Sequence, residues 1–457
     1  MTNVRRIRWS VALTASLVAL LGASALGHQP IRISSGMSAT FFNPIVNNYA
    51  DPWMTQWHHR YYLTATTGSN VTLWSASNLA NVAVGQSTVV WSPQGKQSHF
   101  QDIWSPELYH FGSRWYVYFA ADIGGVNQTH RDYVLESLGN NPMGRYRFVG
   151  EIHDRANQWM IDPNVLQWQG KKYLLWSGWL SPHNQVQRLF IAQMASPTKL
   201  QGPGRVISSP TYPWENSVAP INEGPVSLVH HGKAFVVYSA NASWTNRYTL
   251  GLLTLKGRNP MNPLDWVKRP TPVFASANGV FGPGRASFVT ADQGHQWWMV
   301  YNAARYSGSG WNRTIRAQPF SWNANGTPRF GAPLPLDQAI SWPKGTPKDR
   351  VNYVPHTNSK GFAVITVQVA QKGIYGLFIR YQNPNAYTTF QNFALNGKAL
   401  PQLAFPETEG FSGKQNRYGV ADQTLPLPAG KSTIKIFEGD GLAHIQMLQV
   451  TARPSQP

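Results

Sequence analysis

The sequence predicts an all-β protein in which a five-bladed β-propeller is followed by a β-sandwich of the jelly-roll type. A proline-centred motif recurs five times, with prolines at positions 52, 106, 163, 225 and 283 and intervals of 54, 57, 62 and 58 residues. Aromatic residues make up 13% of the chain and charged residues also 13%, a composition that favours packed strands over helices. Near Ser341 the repeat stops and a series of short strand-length runs begins.

Each repeat contains two apolar, aromatic-rich runs separated by a short polar turn, which is the pattern of a β-hairpin. A repeat of this length with several strands is typical of a propeller blade. Proline has no N–H group, so we expect it at the start of the innermost strand, where it costs no ladder hydrogen bond. Corresponding positions of the five repeats would then face one central axis.

The first 25 residues predict a secretory signal peptide. Arg5, Arg6 and Arg8 precede a short apolar run, and Ala23-Ser24-Ala25 provides a small-x-small cleavage site. The run is too short for a membrane anchor, so we expect a secreted or periplasmic protein with no membrane span after the signal is removed. The chain contains no cysteine, so its stability must come from its core and its strand ladders rather than from disulfides.

The mature chain, about 430 residues long, exceeds one ordinary domain, and the change of pattern predicts two. We place the propeller at residues 30–340 and the sandwich at residues 350–457, with a polar, proline-containing connector between them. Strand-length runs such as FAVITVQVA at 362–370 recur through the second part. Short, regularly spaced strands over a length of roughly 105 residues are typical of a β-sandwich.

The strong positive charge constrains the class of partner. The formal net charge is +19 for the whole chain and falls to +16 without Arg5, Arg6 and Arg8, since the leader contains no acid. Such an excess suggests attraction to anionic surfaces such as acidic polysaccharide, although a positive surface kept for solubility explains it equally well. Nucleic acid is disfavoured because no basic run or nucleic-acid-binding motif is present. We expect a monomer.

Three acidic residues lie beside the repeated prolines. Asp51 and Asp162 each precede one directly, and Glu223 lies two residues before another. A glycosidase uses one protonated carboxyl to donate to the leaving oxygen and one ionised carboxylate to activate water or attack carbon. A third carboxylate raises the pKa of the acid by repulsion, and the longer side chain of Glu223 suits the donor. The alternative is that each acid caps a turn, which Asp before Pro often does.

The motifs, taken together and in order, resemble glycoside hydrolase family 43. They are Ala50-Asp51-Pro52, Ile103-Trp104-Ser105-Pro106-Glu107, Ile161-Asp162-Pro163, Asn222-Glu223-Gly224-Pro225 and Gly282-Pro283-Gly284-Arg285-Ala286-Ser287-Phe288. The resemblance extends from about residue 43 to about residue 335. It implies a five-bladed propeller that hydrolyses arabinan, arabinoxylan and related plant polysaccharides with inversion. It also implies Asp51 as the general base, Asp162 as the modulator of the acid's pKa and Glu223 as the general acid.

The segment from Trp311 to Pro335, with the Gly-Pro-Gly-Arg form of the fifth motif, is similar to the arabinofuranosidase branch of that family. We therefore expect an exported hydrolase that releases α-L-arabinofuranosyl units. A β-xylosidase or another glycan hydrolase of the same fold remains open, and so does a non-catalytic glycan-binding propeller, which the complete set of acids disfavours.

Four further residues are candidate substrate contacts: Trp104, Glu107, Trp179 and Arg285. Trp104 is placed to stack on a furanose ring and Glu107 to bind sugar hydroxyls, while for these two and Trp179 plain packing is an equal alternative. Many members of the family have a histidine at the position of Arg285, and that histidine helps to hold a cation at the propeller axis. Arginine has no lone pair for a metal, so we expect no required cofactor and no central Ca²⁺. Arg285 would instead donate to sugar hydroxyls or offset the carboxylate charge.

The histidines do not form a metal site in this interpretation. His58-His59, His230-His231 and His295 fall in predicted hairpin turns, remote from the acids. The C-terminal sandwich resembles carbohydrate-binding modules of families 6 and 35, but it lacks the acidic start with which those modules often bind a structural Ca²⁺. Whether it binds sugar is left open.

Overall fold

The structure is a computed structural model, and it describes residues 16–17, 36–37, 40–343, 350–353, 363–369, 371–408, 418–437, 439–440 and 443–452. The predicted signal peptide lies outside these residues except for Ser16–Leu17. Most of the predicted connector also lies outside them. Within the described part of the chain, no helix has both the length and the hydropathy needed to cross a membrane.

Five four-stranded antiparallel sheets follow one another along the chain, each built from consecutive strands. Blade 1 comprises Ala50–Trp57, Arg60–Thr66, Val71–Ala76 and Gln86–Trp91. Blade 2 comprises Phe100–Phe111, Arg114–Ile123, Val126–Ser137 and Tyr146–Glu151. Blade 3 comprises Met160–Trp168, Lys171–Gly178, Arg188–Ser196 and Lys199–Ser208. Blade 4 comprises Asn222–His230, Lys233–Ala240, Thr249–Leu255 and Trp266–Lys268, and blade 5 comprises Phe281–Ala291, Gln296–Ala304, Arg313–Trp322 and Pro328–Arg329.

The first strands of the five blades form a closed ring. Each contacts the first strand of the next blade, and the first strand of blade 5 contacts that of blade 1. Between these two strands the Met54 N–H group donates to Ser287 Oγ at 3.0 Å. The arrangement confirms the predicted five-bladed propeller and places the repeated prolines around one axis.

The segment before blade 1 packs on blade 5 and ties the ends of the ring together. Thr40–Phe41 pairs with Ile340–Ser341, and Val46 forms a bridge with Ile315. The side-chain amide of Asn43 donates to the Ala317 carbonyl at 3.0 Å and accepts from the Ala317 N–H group at 2.9 Å. Blade 5 is therefore held to blade 1 both at the axis and at the periphery.

A β-bulge recurs in the first strand of every blade, at the residue before the repeated proline. The φ angles of these five residues are all positive: Asp51 53°, Ser105 49°, Asp162 60°, Gly224 55° and Gly282 54°. The pairing register with the second strand shifts at each of these points. Positive φ is unfavourable for residues other than glycine, and such strain is commonly found at functional sites. The bulge changes the direction of one side chain per blade relative to the regular strand pairing.

Aromatic side chains fill the spaces between blades, as the composition predicts. Trp115 and Trp298 are almost fully buried, and Tyr62 of blade 1 packs in one cluster with Leu108 and Val117 of blade 2. The remaining helical elements are single turns at Leu79–Val84, Gly95–Gln97, Pro213–Asn216, Pro263–Asp265 and Asp292–Gly294. The histidines of interest lie in or beside hairpin turns, as at His58 and His59 between the first two strands of blade 1.

Eight strands of the C-terminal part and two short N-terminal strands form a sandwich of two five-stranded sheets. One sheet contains, in spatial order, Ser16–Leu17, Ala363–Val369, Gly430–Phe437, Thr389–Leu395 and Lys398–Phe405. The other contains Gly36–Met37, Arg350–Tyr353, His444–Ala452, Gly373–Gln382 and Gly419–Leu427. One hydrophobic core joins residues of both sheets, for example Ile365 and Phe393 with Leu377 and Leu448. This confirms the predicted sandwich.

The sandwich is in contact with the propeller. Val84 of the propeller packs with Phe378 and Val420 of the sandwich. The guanidinium group of Arg380 lies 4.3 Å from the ring centre of Phe42. The two parts therefore share a packed surface in addition to the connector.

Candidate active site

Asp51 occupies the bulge of blade 1 with 18% of its side chain exposed. Thr66 Oγ1 donates to its Oδ2 at 2.7 Å, and Arg313 Nη1 lies 3.7 Å from its Oδ1. Its own N–H group donates to Asn302 Oδ1 at 2.8 Å. Burial raises the pKa of Asp51, and Arg313 is the strongest influence in the opposite direction. Arg313 therefore favours the ionised form of Asp51, which is more exposed than Asp162.

Asp162 occupies the bulge of blade 3 and is only 6% exposed. Ser105 Oγ donates to its Oδ1, and the Gly224 N–H group donates to its Oδ2 at 2.9 Å. Both oxygens are thus held by donors from the two neighbouring blades.

A chain of hydrogen bonds connects the two aspartates. The Ser105 N–H group donates to Thr66 Oγ1 at 2.8 Å, and Thr66 in turn donates to Asp51. Since the Ser105 hydroxyl donates to Asp162, one residue positions both carboxylates. Ser105 is the blade 2 counterpart of the two aspartates, because all three occupy the positive-φ position before a repeated proline.

Glu223 is half-buried and directly precedes Gly224, the bulge residue of blade 4. Burial and the negative charge of Asp162 raise the pKa of Glu223 to about 8, against the opposing effects of a hydrogen bond from Tyr248 and the charge of Arg313. The Tyr248 ring can lie here because position 284 is glycine, where a Cβ atom would be 2.0 Å from the ring. The surroundings of Glu223 thus favour its protonated form. The three predicted acids lie in one network.

Arg313 links the surroundings of Asp51 and Glu223. Besides its approach to Asp51, its guanidinium group lies 5.3 Å from the ring centre of Tyr248, the residue that is hydrogen-bonded to Glu223. Its Nη2 donates to the Ser243 carbonyl at 2.7 Å. The side chain is 6% exposed, so it lies in the wall of the pocket rather than on the open surface.

Glu107 and Arg285 form an ion pair beneath the carboxylates. Arg285 Nη2 donates to Glu107 Oε1 at 2.8 Å, and the side chains are 2% and 1% exposed. Tyr109 and Asn164 also donate to Glu107. Burial raises the pKa of Glu107, yet every group facing it is a donor, which fits the ionised carboxylate. Glu107 therefore has almost no free surface for a sugar, and its position favours the alternative of packing.

Arg285 lies close enough to the aspartates for its charge to act on them. The negative charges of Asp162, Glu107 and Asp51 all raise the pKa of Arg285, against the effect of burial. Of the two roles predicted for Arg285, these interactions favour compensation of the carboxylate charge over donation to sugar hydroxyls. Its Nη1 has no hydrogen-bond partner in the described part of the protein, so one donor is still available.

The two candidate tryptophans lie in one aromatic cluster. Trp104 is half-buried, with its ring centre 4.0 Å from that of His130. Trp179 is only 4% exposed and stacks on Trp159 at 4.4 Å. Little of the Trp179 surface is left for a sugar, so its position favours packing, whereas Trp104 keeps part of its surface.

Arg285 is the charged residue that faces the carboxylates at the axis, and arginine offers no lone pair to a metal ion. Within the described residues no group of three or more His, Cys, Asp or Glu side chains is arranged to hold a metal.

Several residues of the site were not identified from the sequence. Ser105 could have been found, because it shares the position of Asp51 and Asp162 in the repeat. Thr66, Tyr248 and Arg313 lie in or just before other strands of their blades and share no repeat position. Their contribution depends on the ring being closed.

Comparisons with known proteins give a consistent picture. The model of the family described as glycosyl hydrolases family 43 matches residues 41–328. The extracellular exo-alpha-(1->5)-L-arabinofuranosidase of Streptomyces avermitilis is 34% identical over 342 residues, which cover 72% of this chain and 70% of that protein. Alpha-L-arabinofuranosidase 43 of Humicola insolens is 31% identical over 342 residues, covering 72% of this chain and 69% of that protein.

Solved structures show the same fold. The alpha-L-arabinofuranosidase from Lactobacillus brevis has a TM-score of 0.61 at 31% identity, covering 65% of this chain and 98% of that chain. A xylan beta-1,4-xylosidase from Bacillus halodurans covers 90% of this chain and 100% of its own, with a TM-score of 0.52 at 12% identity. At that identity the likeness concerns the fold alone.

The buried ion pair allows a prediction about stability. Replacing Glu107 with Ala leaves Arg285 buried without its closest counter-charge, and breaking such a pair costs about 3–5 kcal/mol. We expect the free energy of unfolding, measured by urea denaturation, to fall by this amount. Arg147→Ala, which removes an ion pair whose arginine side chain is 65% exposed, should cost less than about 1 kcal/mol. Equal losses in the two variants would contradict the structural role of Glu107.

Proposed function

The chain belongs to glycosyl hydrolases family 43, and from this premise we propose that it is an exported, inverting α-L-arabinofuranosidase. It releases α-L-arabinofuranosyl units from arabinan or arabinoxylan-type polysaccharides. The arabinofuranosidases of Streptomyces avermitilis and Humicola insolens, each more than 30% identical, support the choice of sugar. The proposal includes no metal, because Arg285 supplies positive charge at the axis.

One observation carries the proposal: two carboxyl groups with the same charged neighbours are influenced by them unequally. Burial raises the pKa of both, and for Asp51 the strongest opposing influence is Arg313, which lies 3.7 Å away. For Glu223 the charge of Asp162 adds to burial and outweighs that of Arg313, and the pKa is raised to about 8. A pair consisting of one ionised and one protonated carboxyl is what glycoside hydrolysis requires. In a binding module no such contrast is needed.

The roles of the acids follow from this contrast. Asp51 accepts a proton from a water molecule, whose oxygen attacks the anomeric carbon from the face opposite the leaving group. Glu223 donates its proton to the glycosidic oxygen as the bond to the anomeric carbon breaks. The product sugar therefore has inverted configuration. To admit the water, the two carboxyl groups must be about 6.5–9.5 Å apart.

Asp162 positions the acid and adjusts its pKa. It accepts the N–H group of Gly224, which fixes the backbone immediately after Glu223, and its charge disfavours ionisation of Glu223. Ser105 and Thr66 hold Asp51 and Asp162 in a fixed relation through three hydrogen bonds. Preorganised groups of this kind need no rearrangement during the reaction.

Export is part of the proposal. The N-terminal 25 residues have the features of a secretory signal, and the Streptomyces avermitilis relative is described as extracellular. We propose that the enzyme acts as a secreted or periplasmic monomer on polysaccharide outside the cytoplasm.

Product analysis tests the proposed function directly. Purified enzyme in a chelating buffer should release arabinose from 4-nitrophenyl α-L-arabinofuranoside and from linear arabinan, with much lower rates on 4-nitrophenyl β-D-xyloside. Proton NMR of the first turnover should show the anomer of inverted configuration. Xylose release as the main activity, or binding of glycans without turnover, would overturn the proposal.

The acid and the base should differ in their dependence on the leaving group. General acid or base catalysis contributes roughly 10²- to 10⁴-fold in rate, so Asp51→Ala and Glu223→Ala should each lose at least about 10²-fold in kcat/KM on arabinan. A nitrophenolate leaving group needs little protonation, so Glu223→Ala should retain much more activity on the aryl glycoside than on arabinan. Asp51→Ala should be impaired on both. An equal loss of Glu223→Ala on the two substrates would contradict its assignment as the acid.

The pH profile should report the influence of Asp162 on Glu223. Activity requires protonated Glu223, so the alkaline limb of kcat/KM should fall with an apparent pKa of about 8. Asp162→Asn removes a negative charge that disfavours ionisation, so the pKa of Glu223 should decrease and the alkaline limb should move to lower pH. Asp132 is a buried aspartate whose charge interacts with Asp162 but whose carboxylate accepts no hydrogen bond in the described part of the chain, so Asp132→Asn provides the comparison. An alkaline limb that stayed in place in Asp162→Asn would contradict this role.

A further inference from the structure

We propose that Trp244 and Trp311 form a binding platform for the furanosyl rings on the leaving-group side of the pocket, and that Glu407 of the C-terminal sandwich holds this platform in place. The inference rests on the proposed function and extends it to the substrate beyond the bond that is cleaved. It assigns to the sandwich a part in forming the mouth of the site.

The two tryptophans are unusual in their exposure. Trp311 is 68% exposed and Trp244 is 42% exposed, and they are the only exposed tryptophans among the described residues. Their ring centres are 5.7 Å apart at an interplanar angle of 66°. Exposed apolar patches of this kind mark binding surfaces, and aromatic faces are suited to the C–H groups of sugar rings.

Both rings are attached to the catalytic pocket through short connections. Trp311 lies two residues before Arg313, whose guanidinium group lies beside Asp51. Trp311 Nε1 donates to Ser243 Oγ at 3.0 Å, and Arg313 Nη2 donates to the carbonyl of the same residue at 2.7 Å. The loop that carries Trp244 ends at Tyr248, which is hydrogen-bonded to Glu223.

The position beside the acid decides which part of the substrate the platform binds. Glu223 donates its proton to the glycosidic oxygen, so groups next to it on the open side of the pocket face the leaving group. In a linear arabinan the leaving group is itself a chain of furanosyl residues. Exposed rings near this side would contact those residues, whereas an aryl glycoside has no sugar there.

The loop that carries Trp311 is fastened to the sandwich. Glu407 Oε1 accepts hydrogen bonds from Tyr306 Oη and from Asn312 Nδ2, both at 3.1 Å. Arg305 Nε donates to Asn312 Oδ1 at 2.9 Å and closes the base of the loop. Glu407 Oε2 accepts from Thr388 of the sandwich at 3.3 Å. A single carboxylate thus joins both ends of the loop to the second part of the protein.

The other contacts of Arg305 reinforce the loop base. Its Nη1 donates to Asn47 Oδ1 at 2.9 Å, and its side chain is 6% exposed. Asn47 belongs to the segment that precedes blade 1, so three separate regions of the chain meet below the loop. Trp311 is consequently presented by a rigid base although its own ring is in solvent.

The test compares an oligosaccharide with an aryl substrate in the full-length enzyme. For wild type, Trp311→Ala, Trp244→Ala and Glu407→Ala, kcat and KM are measured on linear α-1,5-arabinotriose and on 4-nitrophenyl α-L-arabinofuranoside. We expect KM for arabinotriose to rise roughly two- to tenfold in each tryptophan variant, as loss of one aromatic contact implies, with a smaller change on the aryl substrate. Leu264→Ala, which removes a 90% exposed side chain from another part of blade 4, is the matched control.

Glu407 is tested as a positioning residue with two variants. Glu407→Ala should reproduce the selective rise in KM for arabinotriose. Glu407→Gln keeps an acceptor for Tyr306 and Asn312, so its KM for arabinotriose should stay close to the wild-type value. If Glu407→Ala does not fold, Asn312→Ala removes a loop donor to Glu407, and an unchanged KM for arabinotriose in that variant would overturn the role of Glu407.

The outcomes separate the two proposals. An active enzyme whose ratio of kcat/KM values for the two substrates is the same in Trp311→Ala as in wild type overturns this inference alone. If KM for arabinotriose rises in the tryptophan variants but not in Glu407→Ala, the role of the sandwich is overturned. A folded wild-type enzyme that is inactive on both substrates overturns the proposed function and this inference with it.

Discussion

The positive-φ bulge before each repeated proline is the constraint on which the pocket depends. It turns one residue of every innermost strand out of the ladder, so the side chain at this position decides what each blade contributes. Blades 1, 2 and 3 contribute Asp51, Ser105 and Asp162, and blades 4 and 5 have glycine there. Glycine adopts this conformation without strain, and in blade 4 the carboxyl group belongs to Glu223, one residue earlier. The proposed base and the proposed acid therefore differ in side-chain length and in backbone position.

Charge compensation is the second requirement of this arrangement. Carboxylates that meet at an axis repel each other, and burial increases the cost of ionising them. Arg285 lies below them and is paired with Glu107, while Arg313 approaches Asp51 from the side. Burial raises the pKa of both Asp51 and Glu223, but Arg313 is the strongest opposing influence on Asp51, whereas at Glu223 the charge of Asp162 outweighs that of Arg313. In the proposed mechanism this inequality distinguishes the base from the acid.

The sequence predicted the acidic site residues beside the repeated prolines and missed those site residues that share no position in the repeat. The proline spacing was sufficient to predict five blades and to bring Asp51, Asp162 and Glu223 to one axis. The spacing could not show how deeply each side chain is buried. Glu107 directly follows a repeated proline, but its side chain is 1% exposed and its carboxylate is paired with Arg285. Residues such as Arg313 and Thr66 belong to strands whose relation to the acids is set only by ring closure. Contacts between separate regions, such as that of Glu407 with the blade 5 loop, leave no local pattern at all.

The closure of the ring by the segment before blade 1 has a consequence for how the protein is made. Asn43 binds Ala317, a partner 274 positions further along the chain, so the ring cannot be completed while any blade is still missing. Contacts of such separation are expected to form late and slowly, and the pocket, which spans all the blades, matures only with them. A chain delivered across a membrane in an extended state would remain inactive until its last blade had passed through. For a chain exported in this way, activity would require that all five blades had crossed the membrane.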